Sequence, residues 1–280
     1  MYGDDELLPQ VKRLSKNERG SYRIGSATDP EATYRVHGKD KVDFGYNVSV
    51  AATTNFIREI RADTGAQPDP VAIPDLLRAQ IEHHALCPSK LIYDAAAGRA
   101  KYHAQVKQAT QGQTQLVAPL VDVNKNAVRF TPDDFTLSDV KAALTCPNDQ
   151  TTTVVYRSGD GWLFGFPAHL CQGCSEQDHC RDPKANPQSV RHVFISDYRD
   201  LWDKAVAYNK TDDFKADMKL RPHIERIIAA IVRHNGGRRA RRREKTKADF
   251  QAKMNAMAYN IKRWLRLLAL AKVASTTVCL

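Results

Sequence analysis

Two acidic residues stand out by their settings. Asp94 closes the apolar run KLIYDA, and Glu225 lies inside LRPHIERIIAAIVRHNGGRRARRREK, a helical pattern that turns into almost continuous arginine. Open α/β sheets usually place ligands at the C-terminal ends of their strands, which is where Asp94 falls. Carboxylates from a strand and from a packing helix are what a two-metal phosphoryl-transfer site needs. Mg²⁺ prefers oxygen ligands, and two ions about 3.5–4 Å apart stabilise both the attacking and the leaving oxygen of a phosphodiester. Each residue also has a plainer role open to it. Asp94 can cap a helix that follows the strand, and Glu225 can pair with Arg221 one helical turn earlier.

The charge pattern names a partner class. Residues 233–247 hold Arg233, Arg238, Arg239, Arg241, Arg242, Arg243, Lys245 and Lys247 against the single Glu244, so about seven of the ten net positive charges of this 280-residue chain come from one segment. Such a block suits a polyanion, most simply nucleic acid; otherwise it is a solvated, flexible linker. Four of the six cysteines, Cys146, Cys171, Cys174 and Cys180, fall in one stretch. Four thiolates suit tetrahedral Zn²⁺ in a closed, structural site, with His169 or His179 as substitute ligands. The other reading is buried free cysteine, and Cys87 and Cys279 are expected to be small hydrophobes. No basic segment followed by an apolar run opens the chain, and Arg266 and Lys272 interrupt its most apolar tail. A cytoplasmic protein without a membrane partner is therefore expected.

The elements that must position these residues follow from periodicity. Residues 1–28 form a polar lead-in. In 44–62 two β-rich runs flank Thr53, Thr54 and Asn55 as a hairpin. DPVAIPDLLRAQIEHHAL has helical spacing, and KLIYDA, AGRAKYHAQVKQA and TQLVAPLV read as strand, helix and strand. Together, 29–124 predict an α/β layer with a mixed sheet. Residues 125–200 carry short alternating strands and the cysteines, and read as an inserted β-rich module. In 201–280, helices are expected over 213–234 and 247–273. The second has Phe250, Met254, Met257, Ile261, Trp264 and Leu268 on one stripe, expected to be core.

The segments GSATDPEATYRVHG…FGYNVSVAATTNFIREI, LIYDAAAG, LTCPNDQ…CQGCSEQDHC and RPHIERIIAAIVRHNGGRRARRREKTKADFQAKMNAMAYNIKRW occur in an order that resembles the C-terminal DDE domain of bacterial insertion-sequence transposases, over roughly residues 20–272. The resemblance implies an RNase H-like fold whose Asp-Asp-Glu triad holds two Mg²⁺ ions. It makes Asp94 the second acidic member, Glu225 the third, and the cysteines a zinc-ribbon-like insertion. It also implies DNA cleavage and strand transfer, a nucleoid-associated protein and a homo-oligomer on DNA. Arg221 matches an arginine of the family four residues before the glutamate. Where the wider group often has a lysine, seven residues beyond Glu225, this chain has Val232, with Arg233 nearest. The family's first Asp belongs on an opening strand upstream of DPEA, and Asp29, Asp40 and Asp43 are poor substitutes. The expectation is an N-terminally incomplete transposase; the rival readings are a non-enzymatic DNA-binding remnant and a metal-dependent nuclease that hydrolyses without transfer.

Overall fold

Alternating β-branched and polar residues after a turn-rich opening build the first strands of the chain, and amphipathic runs build the helices that cover them. A computed structural model describes residues 25–37, 41–121, 127–186 and 188–276. The polar lead-in up to residue 24, Asp40 and Cys279 lie outside them. In chain order the elements are β1 (Thr33–His37), β2 (Lys41–Ala52), β3 (Ile57–Thr64), α1 (Ile73–His84), β4 (Lys90–Ile92), α2 (Ala100–Ala109) and β5 (Gln115–Val117). Then come β6 (Thr136–Leu137), β7 (Leu144–Thr145), β8 (Thr151–Thr152), β9 (Val155–Ser158), β10 (Gly161–Phe166), α3 (Ala168–Cys171), α4 (Gln177–Cys180) and β11 (Arg191–Ser196). Four helices finish the chain: α5 (Arg199–Asn209), α6 (Asp212–Met218), α7 (Pro222–His234) and α8 (Lys245–Thr276). The chain divides into two compact units. Of the described residues, one unit comprises those up to Ala96, Gln105–Ala118 and those from Asp212 onward; the other comprises Ala97–Ala104 and those within Pro119–Thr211.

In the first unit β2 pairs antiparallel with both β1 and β3. The expected hairpin is present: Thr53 and Phe56 close its turn, with the Thr53 N–H donating to the Phe56 carbonyl at 2.9 Å and the Phe56 N–H donating to Thr53 Oγ1 at 3.1 Å. The expected strand, helix, strand series also forms, and β4 and β5 pair in parallel, as the intervening helix requires. Among the described residues these strands make two separate sheets, β1-β2-β3 and β4-β5, rather than one mixed sheet. The fold is mixed α/β with several small sheets.

The core of this unit joins Ile57 and Ile60 of β3, Ile227 and Ile231 of α7, and Ala252 and Ala256 of α8. The helix expected over 213–234 is two helices. Pro222 has no N–H to continue α6 but is suited to the first turn of α7, so the chain breaks between them. The α8 stripe is a correction. Phe250, Met254, Met257, Ile261, Trp264 and Leu268 are all exposed, and the face packed on β3 is Ala248, Ala252 and Ala256. Small side chains win the buried position because they let the helix axis approach the strand closely, which the bulky stripe could not.

The second unit has two three-stranded antiparallel sheets, β6-β7-β8 and β9-β10-β11. The run TTTVVY is split between β8 and β9, because Thr152 turns its hydroxyl onto the Gly165 carbonyl at 2.6 Å and Val154 accepts from the Gly165 N–H. Phe135, Leu144, Phe164, Phe166, Val193 and Ile195 form its core.

Ile227 is 2 % exposed at the centre of the first core. Replacing it with Ala is expected to destabilise the chain by about 2–5 kcal/mol, the usual cost of truncating a buried isoleucine and leaving a cavity. Chemical denaturation followed by circular dichroism measures this directly.

Candidate functional site

Asp94 lies two residues beyond β4 and is partly buried. Its Oδ1 accepts the Ala96 N–H at 2.9 Å, at the start of the single 3-10 turn Ala95–Ala97. The capping role is therefore made in this structure, and one carboxylate oxygen is engaged in it. The residues that follow, Ala95 to Gly98, are all small. Ala97 and Gly98 are buried, and the space beside Gly98 is filled by the chain itself: a Cβ there would collide with the Pro119 carbonyl oxygen.

Glu225 is in the first turn of α7, where a negative side chain also complements the helix dipole. It is exposed, and its Oε1 pairs with Arg221 Nη2 at 2.9 Å. Ile227 and Ile231 turn the opposite face of the helix into the core, so Glu225 stays at the solvent side. Among the described residues no hydrogen bond or ion pair links Asp94 to Glu225, and no group of three or more His, Cys, Asp or Glu is arranged to hold a metal ion. Asp29 and Asp43 do not join them either. Asp29 is buried and accepts the Tyr46 hydroxyl at 2.5 Å, and burial, followed by that bond, raises the phenol's pKa well above its ordinary range.

The arginine segment is ordered by its neighbours in the same unit. Gln251 of α8 accepts the Arg241 N–H at 2.8 Å and donates to the carbonyls of Arg239 and Gly236 at 2.9 and 3.4 Å. At its end the Glu244 N–H donates to Asp29 Oδ1 and the Lys245 N–H to Glu31 Oε2, which places two carboxylates at the N-terminus of α8. The backbone of this stretch thus folds back on α8 rather than running as a loose linker. Arg233, Arg238, Arg239, Arg241, Arg242 and Arg243 are exposed, and none of them makes an ion pair among the described residues.

In the second unit Cys146, Cys171, Cys174 and Cys180 line one cavity of about 30 Å³, together with Phe166, Leu170 and Arg181. Cys146 begins a tight turn in which its Sγ accepts the Gln150 N–H at 3.4 Å. The four are free thiols. Burial raises the Cys171 pKa above its ordinary value; Arg181 opposes that shift, and Cys180, Cys174 and Cys146 add to it. His179 points elsewhere, to Glu176 Oε2 at 3.0 Å.

Residues 145–265 match the family model of the transposase DDE domain. The match supports a DDE transposase. It spans the cysteine cavity, Glu225 and the arginine segment, and it does not reach Asp94. Neither the curated proteins nor the solved structures gave a match.

The sequence reading passed over Asp63, the most buried carboxylate of the first unit at 2 % exposure. Its Oδ1 accepts from Arg61 Nε at 2.9 Å, while Oδ2 is buried without a hydrogen-bond partner. The signal available was one of alternation: in IREIRADT, Asp63 falls on the same face of the strand as Glu59 and Arg61. Arg61 also pairs with Asp75 of α1, and Glu59 meets His83 and His84 of that helix at 2.9 and 3.1 Å. The Arg61–Asp75 ion pair and the hydrogen bond between His83 and Glu59 thus tie α1 to β3.

The plain roles of the two acidic residues separate cleanly from any chemistry. Asp94→Asn keeps an oxygen for the Ala96 N–H, whereas Asp94→Ala removes the cap and is expected to cost about 1 kcal/mol. Glu225→Gln removes only an exposed pair, so its effect on stability is expected to stay below about 1 kcal/mol. Thermal unfolding of the three variants checks the order.

Proposed function

We propose that this chain is a transposase-like protein that acts on double-stranded DNA in DNA transposition, by metal-dependent phosphodiester cleavage and strand transfer. The observation that carries the reading is the transposase DDE domain match, which covers the helix bearing Glu225 and the exposed arginines after it. A row of guanidinium groups that make no ion pair among the described residues, on an anchored backbone, is suited to phosphate oxygens.

The carboxylates are not gathered into a two-metal centre among the described residues. Asp94 uses one oxygen as a cap, Glu225 is paired with Arg221, and no third carboxylate joins them among the described residues. Their role as Mg²⁺ ligands rests on resemblance, and the DNA-binding half of the proposal rests on the arginines. Replacing Arg238, Arg239, Arg241, Arg242 and Arg243 with Gln is expected to weaken duplex binding for every sequence. It should also flatten the salt dependence, by about 0.9 in the log–log slope for each phosphate that is no longer neutralised. In the same preparation, cleavage and joining of duplex DNA are assayed with Mg²⁺. Product that disappears in both Asp94→Asn and Glu225→Gln supports the catalytic role. Binding without Mg²⁺-dependent product would reduce the chain to a DNA-binding protein.

The four thiols also fall short of a formed metal-ligand set. In donor type and number they fit Zn²⁺, because four cysteines on one small cavity can close a tetrahedral shell. Cys146, Cys171, Cys174 and Cys180 would hold the ion, which would brace the module and leave no open position for substrate. Purified protein is expected to contain one zinc per chain, and Cys174→Ser to lose it together with thermal stability. A metal-free preparation of unchanged stability would sink this assignment.

A further inference from the structure

The exposed stripe of α8 has an order that the core does not explain. Phe250, Met254, Met257, Ile261, Trp264 and Leu268 are spaced alternately four and three residues apart, the rhythm of the a and d positions of a heptad. Each of the six is between 42 % and 66 % exposed, and they lie on the side of the helix away from Ala248, Ala252 and Ala256, which face β3. Beyond Trp264 the helix is open nearly all round, with Leu265 and Leu270 also exposed. With the six stripe side chains and the adjoining Leu265 each about half exposed, the patch amounts to on the order of 600 Å² of apolar surface, at the upper end of what a monomer usually shows and below the roughly 800 Å² per partner of a standard interface.

We propose that α8 is a homodimerisation helix, whose stripe packs against the same stripe of a second copy of this chain. Self-association is favoured over another occupant by the residues that flank the seam. Gln251, Lys253, Ala258, Asn260, Leu265 and Leu267 occupy those positions, and the one charge among them, Lys253, is neutralised by Asp249 at 2.8 Å. Two copies therefore meet without like charges facing each other, and an isologous contact brings identical spacings into register. A polyanion would need cations along the whole face, and the arginine cluster is held only at its start, where Gln251 binds the backbone of Arg239 and Arg241.

The test is sedimentation velocity on the full chain, freed of nucleic acid and held at high salt so that DNA cannot bridge copies through the arginines. A dimer that dissociates on dilution is expected. Met257→Glu with Ile261→Glu changes only exposed positions and is expected to weaken dimerisation at least tenfold, with helical content by circular dichroism unchanged. Trp264→Gln with Leu268→Gln provides an independent pair should the first variant misfold. A wild-type chain that stays monomeric overturns the proposal, and so does an undiminished dimer in both folded variants. Monomer that binds vesicles of mixed phosphatidylcholine and phosphatidylserine would overturn it in favour of a lipid surface.

Discussion

The outer edge of β3 is a row of backbone donors and acceptors that must be satisfied, and α8 satisfies it. Asp249 Oδ1 accepts the Ala62 N–H at 2.9 Å, and Asn260 accepts from the Ile57 N–H and donates to the Ile57 carbonyl, both at 2.9 Å. An uncovered edge strand would be a template for pairing with other chains. Two polar side chains about three turns apart can reach the strand only if the helix lies close along it, and Ala248, Ala252 and Ala256 are small enough to allow that. Arg263 adds a bond from the same helix to Asn55 in the hairpin turn.

That placement fixes much of the rest of the unit. With α8 seated on β3, α7 completes the same core through Ile227 and Ile231, and Glu225 is held on the outer side of its helix. The connection between the two helices must then return to the start of α8. Gln251 and Asp29 hold that return as a defined loop, so its arginines project from an anchored backbone instead of a free one. Ordering the backbone beforehand lowers the entropy lost when a polyanion is bound. The bulky side chains of α8 are left outside by the same geometry, since the side that meets the sheet is reserved for alanine.

The second unit solves a different problem. Its sheets are short, and Phe164 and Phe166 are the largest fully buried side chains of its interior, with the cysteines gathered at the border of that cluster. Small β-rich modules have little apolar area to bury relative to their surface, and a structural metal is one way such modules gain stability. The thiols lie where an added constraint would act on both the β7–β8 turn and the short helices α3 and α4.

The sequence by itself determined the local elements and the charge. The hairpin, α1, the strands β4 and β5 and the long final helix were legible, because side-chain periodicity acts over a few residues; the helix carrying Glu225 was expected as one run over 213–234, and its break before Pro222 was not. The arginine block and the gathering of four cysteines were legible for the same reason. Only the tertiary structure decided which face of α8 is buried. Periodicity marks an apolar stripe but not the distance to its neighbour, and on α8 the need to cap the β3 edge selected the alanine face over Met257 and Trp264. Asp94 and Glu225 show the same limit. Their types and positions suggested a shared site, whereas the partners they hold here, Ala96 and Arg221, come from their own local turns. Asp63 was passed over because its burial depends on what packs around β3, an arrangement of several elements that no window of sequence contains.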